Sequence, residues 1–271
     1  MIAGMAPDGT PAAAHGNFRL SLPAAPSDQW RAALVDSWRA LWVSRLLVWV
    51  VGMDAVAIWG VSARAGDFDP GGLTRPFAAV GDLLVAPAAR WDSSWFLRIA
   101  HDGYIGHEPA RAAFFPLYPL LIRAGAVVTG SPLVAGAVMS TLAFGVALVL
   151  LHRLTDVELG PAAARSAVLL AAFSPMSFFF SAVYSESLFL ALSLGAVYAA
   201  RTERWAWAGV LGALAAATRS AGVLLVVPLA LLLVRAHPRP WRQAPWIALV
   251  PVGLAAFCGW LALRGADGLA P

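Results

Sequence analysis

Three short stretches of the chain concentrate side chains able to do chemistry. The first is RWDSSWFLRIAHDGY at residues 90–104. From Ser93 its apolar positions recur at helical spacing, with Trp95, Phe96 and Ile99 on one side and Ser94, Arg98, His101 and Asp102 on the other. Gly103 stands where such a helix would end. This pattern predicts an amphipathic helix lying at a membrane interface with its aromatic side in the acyl boundary. Asp92 falls just ahead of the first turn. It can act as an N-cap, a role worth about 1 kcal/mol, or as a general base, and the two are compatible because a helix N-terminus favours the ionised carboxylate a base needs. The second stretch runs from Ser174 to Ser187 and sets Tyr184, Ser185 and Glu186 among aromatics. Glu186 either complements the macrodipole of the helix that follows, for about 0.3–1 kcal/mol, or joins its neighbours in gripping a sugar or phosphate. The third is Thr218-Arg219-Ser220, whose guanidinium is suited to bidentate phosphate contact or to snorkelling toward lipid headgroups. Two further features belong beside these. Phe114-Phe115-Pro116-Leu117-Tyr118-Pro119 is either an aromatic-belt turn at a membrane entrance or irregular backbone lining a cavity. His101, His107, Asp102 and Glu108 lack HxxxH or HxH spacing, so nothing in the sequence supports a divalent metal and no cofactor is implied.

The elements that must position these residues are membrane helices. Of 271 residues, 60% are hydrophobic and only 13% charged, with 12 Trp and 19 Pro, and the mean hydropathy is +0.72. A soluble domain is about a quarter charged, and here the apolar excess is gathered into windows near bilayer length. The single Cys258 excludes a disulfide scaffold and a cysteine-based zinc finger. The 19 basic residues are all Arg and are scattered between apolar spans; without a continuous basic face, the net charge of +4 does not point to nucleic acid.

The expected fold class is therefore all-α, a polytopic bundle of about seven or eight membrane segments in one domain over 38–271. Residues 1–37, rich in Ala, Pro and Gly and of mixed charge, are expected to form a flexible cytoplasmic tail, with no apolar run of signal-peptide type. The segments are Trp38–Val61, Phe114–Val128, Pro132–Leu151, Ser166–Phe180, Ser187–Ala200, Trp205–Ala217, Ala221–Val234 and Trp246–Leu263, with a long external loop over about 62–113. Arginine-rich loops at 201–204 and 235–242 place those ends in the cytoplasm. By alternation 152–165 is also inside, while 181–187, 218–220 and the C-terminus face outside. Segment 114–128 breaks the alternation, since it must leave and return on one face, as a tilted or re-entrant segment would. Within the first span, Arg45 and Asp54 are nine residues apart and so on opposite helix faces, about 13 Å apart in rise. Each needs a partner elsewhere in the bundle, and both are read as structural.

Four blocks in this order, RWDSSWFLRIAHDGY (90–104), FFPLYPL (114–120), FFFSAVYSESLF (178–189) and TRSAG (218–222), resemble the PIG-V family of mannosyltransferases in a bacterial form. The resemblance runs through almost the whole hydrophobic region. It implies a glycosyltransferase of the GT-C class in the cell membrane, taking mannose from a polyprenyl-phosphate-mannose donor and passing it to a glycolipid or protein acceptor on the external face. It further implies Asp92 as the base, with Trp91 beside it, Arg219 and then Arg90 and Arg98 as candidates for the donor phosphate, and Tyr184, Ser185 and Glu186 as substrate contacts. Members of the family are usually longer, so the chain is expected to be a fragment or an incomplete gene product, and Ala221 stands where a polar residue often follows the TRS block. Two other classes compete: a transporter or flippase for a lipid-linked sugar, which should hold its charges near the midplane in paired repeats, and a non-catalytic subunit of a glycosylation complex.

Overall fold

The computed structural model describes residues 26–60, 69, 71–77, 79–106, 108–236 and 240–271. Among the described residues the regular structure is entirely helical. The first helix, α1 (Pro26–Trp59), begins twelve residues before the expected boundary of the tail. Pro26 suits a first helical position, Asp28 lies in the first turn where the macrodipole favours a carboxylate, and the alanines that follow propagate the helix. Residues 26–37 thus belong to a helix 34 residues long. Residues 1–25 and most of the early loop after α1, to residue 68, lie outside the described residues.

After a short helix, α2 (Ala79–Val85), and a 3-10 turn over Ala86–Ala88 comes α3 (Ser93–Asp102). A further 3-10 turn over Pro109–Ala113 leads to α4 (Leu117–Thr129). The longest core helix is α5 (Pro132–Leu159), followed by α6 (Pro161–Phe173), a 3-10 stretch over Pro175–Phe180, α7 (Glu186–Arg201) and α8 (Trp205–Ala216). A 3-10 entrance over Ser220–Leu225 opens into α9 (Val226–Arg235). The last elements are the single turn α10 (Ala244–Ile247) and α11 (Val252–Leu263). The expected cytoplasmic loop at 152–165 shrinks to a break at Gly160. Apolar period had ended that span at Leu151, but the polar turns His152–Leu159 carry good helix formers and continue the helix past the apolar zone, a case of propensity outlasting hydropathy.

Among the described residues, three stretches are long and apolar enough to cross a membrane, Ser27–Trp59, Pro132–Leu159 and Trp241–Leu263, and four shorter apolar helices accompany them. The bundle has two distinct ends. At one, Arg201 of α7 meets Glu158 of α5, Trp30 of α1 packs edge-on against Tyr198 of α7, and Arg153 of α5 bonds Gln29 of α1 at 2.9 Å. At the other end lie the start of α7, the end of α8 and all of α3. Helix α4 stays at this second end. Tyr118 at its start bonds the Gly136 carbonyl at 3.1 Å and the Ser140 hydroxyl at 2.6 Å, so α4 runs back along the first turns of α5 and forms a hairpin with it. That accounts for the broken alternation: segment 114–128 leaves and returns at one end of the bundle.

Arg45 is buried in α1 and finds its partners on the opposite wall. Its Nη1 donates to the Ser177 carbonyl at 2.5 Å and the Ser181 hydroxyl at 2.6 Å, and its Nη2 to the Ala172 carbonyl at 3.1 Å and the Ser177 hydroxyl at 2.9 Å. The guanidinium also lies over the Phe144 ring. It therefore closes the orphan Ala172 carbonyl at the end of α6 and fixes the 3-10 stretch that leads into Tyr184. Asp54, by contrast, is exposed.

Candidate functional site

Helix α3 carries Asp92 at its N-terminal boundary. Trp91 precedes it with φ of 45°, a left-handed conformation unfavourable to a bulky residue, and that turn throws the chain from the 3-10 segment into the helix. The Asp92 side chain makes no capping hydrogen bond, so its carboxylate oxygens are not spent on the helix end. Gly103 ends the helix at φ of 82°, as its position in the sequence predicts. The apolar side of α3 differs from expectation. Phe96, Leu97 and Ala100 are buried in a cluster with Tyr118, Ile122 and Val183, so the bundle itself takes the face expected to rest in lipid. Ser94, expected on the polar side, is buried with its hydroxyl turned onto the Trp91 carbonyl at 3.3 Å, whereas His101 and Asp102 are exposed.

The first and second motif stretches meet through one phenol. The Asp92 backbone N–H donates to Tyr184 Oη at 3.0 Å, and the Tyr184 carbonyl in turn accepts from the Ser140 hydroxyl at 3.2 Å. Burial pushes the Tyr184 phenol up to about 12, so it is a neutral donor rather than a base. Since its oxygen accepts from Asp92, its proton is available to another acceptor. Ser185 precedes α7 without capping it through its side chain. Glu186 sits in the first turn of α7, where the macrodipole reading placed it, but it also pairs with Arg219, Nη1 to Oε1 at 2.5 Å. The same Nη1 lies 3.4 Å from the Ser185 hydroxyl. Arg219 is held there by close packing: a Cβ on Gly222 would stand 2.4 Å from the Ala215 and Ala216 backbone, so only glycine lets the turn after Arg219 fold onto the end of α8.

Asp92, Tyr184, Ser185, Glu186 and Arg219 all line a single cavity of about 300 Å³. Residues from every one of the four sequence blocks reach it, because Phe114 and Phe115 form its apolar wall. Of the two readings of FFPLYP, the cavity lining is the one this geometry favours. Thr218, Ser220 and Phe96 also line it; in the sequence the first two stand only as the neighbours of Arg219, and Phe96 only as part of an apolar helix face.

The remaining candidates go elsewhere. Trp91 is exposed, its ring against Phe178 and Phe179, and is not among the residues lining this cavity. Arg98 faces the other way, paired with Glu108, and lines a second cavity with His101, Asp102 and Arg111. Its i+6 offset from Asp92 on a helix of 3.6 residues per turn turns it away from the Asp92 carboxylate. Arg90 is half-buried, and burial together with repulsion from Arg75 lowers its pKa; it does not line the Asp92 cavity either. His101 and Asp102 bond each other at 2.5 Å, and Asp102 and Glu108 both lean on Arg111, so these groups serve ion pairs. His107 lies outside the described residues.

An all-helical membrane bundle with a carboxylate, a phenol and a carboxylate–guanidinium pair gathered around one polar cavity at its end has the parts of a group-transfer enzyme. The sequence pattern of the family described as Mannosyltransferase (PIG-V) matches residues 78–236, more than half the chain and all of this cavity's polar residues, and the chain belongs to that family. It is 36% identical over 157 residues to GPI alpha-1,6-mannosyltransferase 2 of Rattus norvegicus, covering 54% of this chain and 31% of the relative. Over 155 residues it is 36% identical to the protein of that name from Cricetulus griseus, covering 53% of this chain and 31% of that one. The Homo sapiens protein is 33% identical over 155 residues, again 53% of this chain and 31% of the relative. The chain thus spans about a third of the length of the curated relatives it matches. No solved structure matches it.

Proposed function

We propose that this chain transfers mannose from a polyprenyl-phosphate-mannose donor to an acceptor hydroxyl, in the cell membrane and on the external face, with Asp92 as the general base. The observation that carries the reading is the single cavity shared by Asp92, Glu186 and Arg219. A displacement needs a base on one side of the anomeric carbon and a stabilised leaving group on the other. The acceptor hydroxyl gives its proton to the Asp92 carboxylate as its oxygen bonds the anomeric carbon. The bond from that carbon to the phosphate oxygen breaks, and its electron pair leaves with the lipid phosphate. One carboxylate suffices for such a single inversion, and a positioned base is worth about 10² to 10⁴-fold in rate. Arg219, the guanidinium on the cavity wall, offsets the charge growing on the departing phosphate, with Glu186 orienting it. Tyr184 donates its free proton to a donor oxygen, and Ser185 adds a hydroxyl on the same wall. The external placement rests on the arginine-rich opposite ends of α7 and α9. The gathering of Asp92, Glu186 and Arg219 at one end of the bundle weighs against a translocation path, which would hold its charges near the midplane.

The test is mannose transfer from polyprenyl-phosphate-mannose in membranes carrying this chain, against Asp92→Asn at matched expression. A fall of about 10²-fold or more in the variant is expected. Equal transfer by both removes Asp92 as base, and absence of transfer from the unaltered chain overturns the reading for a chain of this length.

A further inference from the structure

Toward the end of the bundle away from Asp92, a groove between α1 and α6 holds a cavity of about 180 Å³. Its charged lining comes from both helices, Asp36 and Arg39 on α1 and Arg165 on α6. The two helices run side by side in one direction. Arg45 reaches the Ala172 carbonyl, six residues past Arg39 on α1 and seven past Arg165 on α6, so the two guanidiniums stand at about one level. Both are exposed, and among the described residues neither is held by an ion pair or a hydrogen bond. The carboxylate is engaged elsewhere: Asp36 Oδ2 faces Nε2 of the buried His152 at 3.6 Å. Two guanidiniums against one carboxylate leave the lining one positive charge in excess, and their convergence on one small space suits a phosphate.

Further along both helices the groove turns apolar. Ala40 and Val168 form its floor, buried in one cluster, and the exposed Val43, Leu169 and Phe173 form its walls. Phe173 lies eight residues beyond Arg165, about 12 Å along the helix. Trp38 and Trp42, one residue before Arg39 and Val43, are exposed and pack edge to face at 5.3 Å. An exposed Trp pair beside arginine marks this level of α1 as the membrane interface. A phosphate site at the interface with an apolar groove leading inward is the complement of a phospholipid. Free phosphate would leave the groove unfilled, and a cavity with room for about six water molecules, at roughly 30 Å³ apiece, is too small for a segment of a partner protein.

We propose that this groove binds one phospholipid with a singly anionic, hydroxyl-bearing headgroup, in the leaflet opposite the Asp92 cavity. Its phosphate sits between Arg39 and Arg165, a headgroup hydroxyl donates to the lone pairs that Asp36 keeps free of His152, and an acyl chain lies along Val43, Leu169 and Phe173. A choline headgroup offers Asp36 no hydrogen-bond donor and cancels the phosphate charge, so the site discriminates against it. The site is distinct from the one proposed for the lipid-linked donor.

The experiment is native mass spectrometry of the full chain in detergent, titrated with dioleoyl phosphatidylglycerol, phosphatidylcholine and phosphatidylethanolamine, and with water-soluble glycerophosphoglycerol. The first phosphatidylglycerol is expected to bind about tenfold more tightly than the first phosphatidylcholine, the scale of a charge-assisted hydrogen bond. Arg39→Gln combined with Arg165→Gln abolishes the preference, whereas Arg39→Lys with Arg165→Lys keeps most of it. Val43→Trp, which fills the groove below the charges, weakens binding of the lipid. Arg123→Gln, removing an exposed guanidinium from α4, leaves the preference intact. Since neither groove guanidinium has a protein partner, the Gln pair should unfold at the same temperature as the unaltered chain in lipid-free detergent, and only the unaltered chain should be stabilised by phosphatidylglycerol. Equal binding of phosphatidylglycerol and phosphatidylcholine, an undiminished preference in the Gln pair, tighter binding of phosphatidylethanolamine, or glycerophosphoglycerol binding as tightly as the whole lipid each overturns the proposal.

Discussion

Tyr184 links the two halves of the candidate site at a single oxygen. Its phenol accepts from the Asp92 backbone at 3.0 Å, so Tyr184→Phe removes the anchor of the helix start and the proton we assign to the donor. The loss of one hydrogen bond of this kind is worth about 0.5–1.5 kcal/mol. The expected result is a three- to ten-fold lower kcat, roughly, on that energy scale, with the folded fraction unchanged by size exclusion in detergent. The pH dependence tests the same residue. Burial raises the phenol to about 12, so the proton stays on through the range near pH 10 where a free tyrosine loses it. Transfer by the unaltered chain should therefore show no decline assignable to Tyr184 up to about pH 10; a decline absent from Tyr184→Phe would show that the phenol ionises earlier and acts otherwise. At this scale the sequence was most legible for Asp92, Tyr184, Glu186 and Arg219, because each sits in a compact motif. It was least legible for Arg98, which shares the Asp92 motif but is turned onto Glu108, and for Arg111, whose partners Asp102 and Glu108 become neighbours only when the turn after Gly103 folds back.

Among the elements, α3 and the 3-10 stretch over 175–180 decide where the chemistry sits. The extent and ending of α3 follow from local signals, a polar start and a glycine end, and both are visible in sequence. Which face is buried is not, since an aromatic stripe has the same period whether lipid or another helix covers it; here Phe96 meets Tyr118 and Tyr184 rather than acyl chains. The partners of Arg45 were equally hidden. They lie 127 to 136 residues away, at the end of α6 and on the 3-10 stretch with the residue that follows it, a region that reads in sequence as the end of an apolar span. That interaction gives an element-scale prediction. Arg45→Met keeps volume but leaves the Ser177 and Ala172 carbonyls without their donor in a buried setting, at about 1–3 kcal/mol for each unsatisfied group. The variant should unfold at markedly lower denaturant in micelles and lose transfer as the segment leading to Tyr184 loosens. Arg45→Lys, with one ammonium for several acceptors, should recover only part of both. Unchanged stability in Arg45→Met would show that the 3-10 segment is held by its aromatic packing alone.

Across the whole molecule the helices around the cavity are short. Helix α7 has 16 residues and α8 has 12, about 24 Å and 18 Å at the rise of an α-helix, against a hydrocarbon core of about 30 Å. The helices α1 and α5, by contrast, are 34 and 28 residues long and exceed that thickness. A bundle with both kinds must meet the bilayer at two depths: α1 and α5 extend past the interface, while the polar ends of α7 and α8, bearing Glu186, Arg201 and Arg219, draw headgroups and water inward. On the function proposed above, local thinning at the Asp92 cavity lets a lipid-linked donor bring its phosphate to Arg219 without lifting its chain from the acyl region. Bilayer thickness should therefore act on activity through the short helices. In proteoliposomes of dimyristoyl lipid the donor KM is expected to be several-fold lower than in dierucoyl lipid, because a thick bilayer raises the plane of the donor phosphate above the cavity at a cost of fractions of a kcal/mol per Å. The acceptor KM, which does not depend on the depth of the donor phosphate, should change much less. A donor KM independent of chain length would mean that the short helices are covered by protein rather than by lipid, and that the donor reaches Arg219 by a route other than the surrounding leaflet.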